Sequence, residues 1–261
     1  MSERVLYAVN DGVATLTFNR PAVMNALDAD MIRGFRAACE RAAADPQARV
    51  IVLRGAGPGF IAGGDVAMFR GNLEKIGTLV PELAAELHRG ILALRRASQP
   101  VIAVVHGAVA GAGLSIMLAC DLIVAAAGTQ FSLAYSRIGT SPDGGATWFL
   151  PGLTGYQKAM ELMLLADTVD ADEMQRFGIV NRVLPADELA ATAEKLARRL
   201  AAGPARAYAE TKALANRALQ DGLAAQLDAE ALAFARCAAT QDFAEGVTAF
   251  VEKRKPQFKG K

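Results

Sequence analysis

Apolar and polar residues alternate over residues 4–9 and again over 13–18, and Asn10-Asp11-Gly12 between them carries hairpin turn chemistry. Asn19-Arg20-Pro21 ends the second strand. Asp28 then stands as an N-cap before a helical pattern running to about residue 44, with Met31, Ile32, Phe35 and Ala38 at helical spacing. Two short apolar runs, RVIVLR at 49–54 and PVIAVVH at 100–106, predict buried strands, and DLIVA at 121–125 predicts a third. Between them lie a long helix over 73–97, with a break expected near Pro81, and an apolar helix over about 112–120. Strand–helix alternation of this kind predicts a parallel α/β sheet with right-handed crossovers. From Gly155 onward the pattern is helical, over 156–166, 170–177, 187–202, 205–219, 223–239 and 241–253, punctuated by Gly203-Pro204 and Asp221-Gly222. The N-terminal two thirds thus reads as an α/β core and the last third as a helical cap, and the domains are expected to be an α/β core over residues 1–200 and a C-terminal helical region over 201–261.

Charge and composition narrow the functions. Among 261 residues, 28 Lys and Arg face 27 Asp and Glu, a formal net charge of +1. A nucleic-acid partner would show as a basic excess, so none is expected. Two His and three widely separated Cys (Cys39, Cys120, Cys237) supply neither a structural zinc set nor a disulfide framework, and no metal site is expected. The N-terminus has no basic segment leading into an apolar core, and no 18-residue apolar run occurs. These features predict a cytoplasmic chain without membrane contact.

Two glycine-rich turns each follow a buried strand: Gly59-Phe-Ile-Ala62-Gly63-Gly64-Asp65 and Gly107-Ala-Val-Ala-Gly111-Ala112-Gly113. Ligands of α/β sheets collect at the carboxyl ends of strands, and glycine lets backbone N–H groups come close to them. The second turn also opens a helix, whose free N–H groups favour negative charge. Together the turns can hold one oxygen that becomes anionic, which is what an oxyanion hole does. The plain alternative is that the glycines only permit tight turns. A dinucleotide fingerprint is absent, because the second turn reads G-x-x-x-G-x-G, and no Gly-Lys-Ser/Thr phosphate loop occurs.

Six co-linear stretches carry a specific resemblance: FNRPAVMNALD (18–28), FIAGGDVAMF (60–69), HGAVAGAGLSIMLACDLIVA (106–125), FSLAYSRIGTSPDGGATWFLPGLTG (131–155), the FGIVNRVLP segment within 171–185, and FVEKRKPQFKGK (250–261). In order and over essentially the whole chain, they resemble the enoyl-CoA hydratase/isomerase (crotonase) family. The resemblance implies a crotonase-like ββα spiral core followed by a C-terminal helical trimerisation region. It implies an acyl-CoA thioester substrate, coenzyme A entering as part of that substrate, and no permanently bound cofactor. The thioester carbonyl would sit between the backbone N–H groups of Gly64 and Ala112. Ala26, Ala62, Asp65 and Val66 match positions around the CoA. Phe250 and Lys253 match C-terminal residues that reach CoA across a trimer contact, in a homotrimer or dimer of trimers. By position, residues 68–80, beginning at Met68, would line or cover the acyl pocket, joined by Ser115, Tyr135 and Trp148.

Hydratases of this family resemble one another in carrying two glutamates, and here those positions hold Ser115 and Tyr135. Between His106 and Pro151 the only acids are Asp121, at a helix–strand junction, and Asp143, in a turn by composition. Asp143 matches the catalytic aspartate of single-aspartate branches, and the pattern is most similar to the ring-1,2-epoxyphenylacetyl-CoA isomerase. One carboxylate suffices to take a proton from one carbon and return it to another. The expected activity is therefore isomerisation of an unsaturated or ring-derived acyl-CoA, with Asp143 as acid and base. Alternatives are an enoyl-CoA hydratase lacking the glutamate pair and a non-catalytic CoA-binding or scaffold protein. In the related dehalogenase branch, a histidine and a tryptophan accompany the aspartate. Their positions fall at Leu92 and Tyr135 here, and His88 reads as an exposed helix residue. His106 reads as structural and Cys120 as inert. A serine hydrolase built on Ser115 lacks a placed base.

Overall fold

The computed structural model describes residues 3–261. Strands β1 (Val5–Asn10) and β2 (Val13–Phe18) pair antiparallel across a two-residue turn, where Asp11 and Gly12 both take positive φ. That backbone matches the twist of the strands it joins. Helix α1 (Ala29–Ala44) follows, with the Asp28 side chain accepting the Met31 amide at 2.8 Å. Then come β3 (Val50–Gly55), the short helix α2 (Val66–Arg70) and the long helix α3 (Ile76–Arg96). Strands β4 (Val101–Val105) and β5 (Ala108–Ala110) lead into helix α4 (Ala112–Leu118). Strands β6 (Leu122–Ala126) and β7 (Gln130–Ser132) lead into α5 (Ala146–Thr154) and α6 (Tyr156–Leu165). Strand β8 (Val169–Asp170), helix α7 (Ala171–Arg176) and strand β9 (Arg182–Leu184) complete the sheets. Four helices close the chain: α8 (Ala186–Ala201), α9 (Ala205–Ala218), α10 (Leu223–Ala238) and α11 (Gln241–Val251).

The large sheet has the order β1-β2-β3-β4-β6-β9, parallel beyond the first hairpin. Strands β3, β4 and β6 are buried on both faces, which is why they read as unbroken apolar runs. Ile51, Leu53, Ala103, Val105 and Ile123 join the core that includes α1 and α3, whereas Val50, Val52, Ile102, Val104 and Val124 meet the Leu189, Ala193, Ala197, Ala201 stripe of α8. A small sheet, β5-β7-β8, lies beyond the strand ends, and Ile61 bridges to Val109 of β5 in parallel. Each turn of the chain thus places one strand in the large sheet, one short segment in the small sheet, and a helix. This is the expected ββα spiral.

Two expectations need correction. Helix α3 continues through Pro81, because the proline stands just past the first turn and forfeits a single i→i−4 bond. The helix expected over 112–120 is the seven-residue α4, ending at Leu118.

Candidate active site

The first glycine turn is held from the N-terminal side. Asn25, fully buried, donates its amide to the carbonyls of Ala56 (2.9 Å), Gly59 (2.9 Å) and Phe60 (3.0 Å) and accepts from the Arg20 amide at 2.7 Å. Arg20 spans the next gap, donating from Nη1 to the Ala26 carbonyl (3.0 Å) and to Asp65 Oδ2 (2.6 Å). Asp65 also caps α2 by accepting the Met68 amide at 3.1 Å. The Arg20 guanidinium beside it holds the Asp65 carboxyl below its ordinary value. Leu27 bridges to Gly64 in parallel, accepting from Asp65 N at 3.0 Å and donating to the Gly63 carbonyl at 2.8 Å. In such a bridge the middle residue turns its own N–H to the opposite edge. The Gly64 N–H therefore points away from Leu27, and among the described residues it takes no backbone acceptor.

The second turn supplies the facing donor. Ala112 is the first residue of α4, so its N–H has no carbonyl four residues back, and among the described residues it too is unpaired with backbone. Gly113 lets the turns meet, since a Cβ there would lie 2.4 Å from the Ile61 carbonyl oxygen. Gly64, Ala112 and Asp143 line one narrow cavity of about 50 Å³, walled by Leu27, Ile32, Phe69, Val80, Leu83 and Leu87. Asp143 is the one ionisable side chain in that lining.

Asp143 is held by both of its ends. Tyr135 donates its hydroxyl to Oδ1 at 2.6 Å, and Ser115 donates to the Asp143 carbonyl at 2.8 Å. The two hydroxyl oxygens are 3.1 Å apart. Burial, then the Asp143 charge and the bond to it, push the Tyr135 phenol above its ordinary value, which keeps it a donor. Gly144 takes φ +61°, and a Cβ there would lie 2.8 Å from the Ser115 Cβ, so glycine lets this turn sit against α4. The Gly144 N–H donates to His88 Nε2 at 3.2 Å. His88 is exposed, as expected, but it is His88 rather than Leu92 that reaches the Asp143 turn.

The remaining sequence-derived candidates fall in different places. Met68 packs on the core cluster, and its neighbour Phe69 lines the cavity. Trp148 is 53% exposed and lines a second groove of about 980 Å³ between α3, α5 and α9, which borders the Asp143 turn at His88 and Gly144. Ala26 and Ala62 lie in the Arg20 and Asn25 network through their main chains, the Ala62 amide donating to the Met24 carbonyl at 3.0 Å. Val66 is exposed on α2. Phe250, 85% exposed, and Lys253 lie at the end of α11 and just beyond it. His106 contacts the Gly57 carbonyl at 2.8 Å, and burial pushes the Cys120 thiol up. Arg20, Asn25 and His88 are the site-forming residues that sequence reasoning left out. Among the described residues no three His, Cys, Asp or Glu side chains gather as metal ligands, and no helix is long and apolar enough to cross a membrane.

A ββα spiral with two main-chain donors and a carboxylate around one cavity defines a class of acyl-thioester site. The enoyl-CoA hydratase/isomerase family model matches residues 8–261. The chain is 36% identical to the 1,2-epoxyphenylacetyl-CoA isomerase of Escherichia coli over 100% of both chains. It is 38% identical to a protein of Rhodobacter capsulatus named "Probable enoyl-CoA hydratase", over 98% of each. A solved enoyl-CoA hydratase from Polaromonas sp. JS666 superposes with a TM-score of 0.93 at 33% identity, covering 98% of this chain and 99% of that one. The chain belongs to the enoyl-CoA hydratase/isomerase family and has the crotonase fold. Enzymes of this family act on CoA thioesters without a permanent cofactor, and this chain is an acyl-CoA enzyme of that kind.

Proposed function

We propose that the protein isomerises an unsaturated or ring-derived acyl-CoA by a proton shuttle on Asp143. The observation that carries this reading is the cavity lined by Gly64, Ala112 and Asp143, in which Asp143 is the one ionisable side chain. With the thioester oxygen between those amides, Asp143 breaks a C2–H bond of a 3-enoyl-CoA. The electron pair moves to the thioester oxygen, and each amide stabilises that enolate by about 3–4 kcal/mol, judged from comparable donors. The protonated carboxyl then gives the same proton to C4, and the electrons return to form C2=C3. The wall from Leu27 to Leu87 is apolar, and the interaction of the amides with the enolate gains strength as substrate displaces water from it.

Replacing Asp143 by Asn tests this reading, assayed as conversion of 3-enoyl-CoA to 2-enoyl-CoA. A loss of kcat of about 100-fold or more is expected. Full activity in that variant overturns the assignment. The second reading is hydration, favoured by the hydratase name of the Rhodobacter capsulatus relative. It requires water activation without the usual glutamates, and the hydroxyls of Ser115 and Tyr135 are already committed to Asp143. Loss of the conjugated absorbance of crotonyl-CoA on adding the protein would favour it. Binding of acyl-CoA without turnover on any enoyl-CoA would favour a scaffold.

The proposed assembly is a homotrimer or dimer of trimers closed by the C-terminal helices. Leu223, Leu227 and Phe234 form an exposed stripe on α10, and the Phe234 ring meets Phe243 of α11 edge-on at 6.0 Å. Phe250 and Lys253 project from the same region, where a neighbouring protomer's CoA would be reached.

A further inference from the structure

We propose that Tyr135 and Ser115 are positioning residues that divide the Asp143 carboxylate, giving Oδ1 to the protein and leaving Oδ2 as the single atom that carries the shuttled proton. The inference rests on the Asp143 shuttle and assigns the work of the two residues standing where a hydratase would carry its glutamates. A tyrosine hydroxyl has one hydrogen, and at 2.6 Å it is committed to Oδ1. The Ser115 hydroxyl also has one, and its 2.8 Å partner is the Asp143 carbonyl. The third contact, 3.1 Å between the two hydroxyl oxygens, has no hydrogen of its own and is served only by sharing that of Ser115. Asp143 is therefore gripped at its main chain and at one carboxylate oxygen, while Oδ2 takes no hydrogen bond among the described residues. Ser115 is fully buried and Tyr135 is 8% exposed, so neither grip is exchanged for water.

This arrangement has a consequence for the proton. Removing it from C2 breaks that C–H bond and forms Oδ2–H, and delivery to C4 reverses the sequence at the same oxygen. No rotation of the carboxyl intervenes, so the proton stays facing the substrate and is returned rather than lost to solvent. Besides Tyr135 itself, the ionisable side chain that meets this turn is His88, from α3, which accepts from the Gly144 amide. The cavity wall contributes apolar side chains, and α4 carries no charged residue.

The test follows a 3-enoyl-CoA deuterated at C2 and scores the deuterium found at C4 of the product. The wild-type protein is expected to transfer most of the label. Tyr135→Phe, which removes one oxygen and keeps the ring, is expected to lower kcat about 30-fold with KM within about twofold, and to raise label washout at least threefold, because the freed carboxyl turns toward water. Ser115→Ala is expected to move both readouts the same way by less. A change in kcat and KM together, with the transferred fraction unchanged, would mean that Tyr135 only fills space and would overturn the proposal. So would wild-type behaviour in Tyr135→Phe. Asp143→Asn separates the layers. If it is inactive while Tyr135→Phe transfers label normally, only the positioning role fails. If it is fully active, the shuttle itself fails.

Discussion

Asp65 caps α2 and pairs with Arg20, so the shape of the first glycine turn is tied to the charge of one carboxylate. Its folded-state value is depressed, chiefly by the hydrogen bond from Arg20. A depressed carboxylate contributes stability that is fully present above its unfolded value, about 3.9, and is lost as pH falls through the lower folded value. The Met68 amide, hydrogen-bonded to Asp65, is therefore expected to keep its hydrogen-exchange protection down to about pH 4 and to lose it below, ahead of the central strands. Protection that rises on acidification would contradict this. At the same scale, composition alone reads Asp143 as a turn residue, and it is singled out only because the resemblance places an aspartate of the single-aspartate branches at this position. The sequence hid Asn25 and Arg20, because their partners are backbone carbonyls and a carboxylate up to 45 residues away, which no local pattern encodes. His88 was hidden for a related reason: its contact is with the amide of a residue 56 positions on.

Helix α9 is docked through Lys212. Its ammonium donates to the carbonyls of Leu94 (2.8 Å) and Gln99 (3.1 Å) and pairs with Asp121 at 2.8 Å, with the side chain 9% exposed. Burial lowers the Lys212 ammonium from its ordinary value, and Asp121 opposes that shift. Asp121 also accepts the Val101 amide at the start of β4, which bears out a structural position at the helix–strand junction. Lys212→Ala leaves two carbonyls without their donor and Asp121 with only Arg95 and the Val101 amide, and is expected to cost about 3 kcal/mol, read as a lowered urea midpoint with little change in slope. The central strands were readable because residues buried on both faces leave a continuous apolar run. Strands β5, β7, β8 and β9 were not, because segments of two or three residues show no periodicity and exist through their partners. Helix α5 was hidden by Pro151 and Gly152 in its interior, which read as a break.

At the scale of the whole molecule, family and fold were legible because six motifs occur in order, whereas the acyl group was not, because the cavity proposed to receive it is lined from several separate segments, among them α1, α3 and the loop before α2. If the α10 stripe closes the trimer, charge placed on it must open the assembly. The double variant Leu227→Glu, Phe234→Glu is expected to sediment as a 27.4 kDa monomer while keeping its far-ultraviolet dichroism. A trimer in that variant would move the contact elsewhere. The two unpaired amides have a different bearing, on how such a protein changes over generations. Asp143 can be rewritten by a single codon, and so can Ser115 and Tyr135. An amide hydrogen is common to every residue except proline, so any other residue at Gly64 or Ala112 would keep the donor, though a Cβ at Gly64 would lie 3.0 Å from the Phe69 ring. On the proposed chemistry, the means of holding a negative oxygen is thus buffered against substitution under drift, while the side chains proposed to choose which bond moves remain free to vary. A lineage built this way is able to exchange one reaction for another without first losing the intermediate they share.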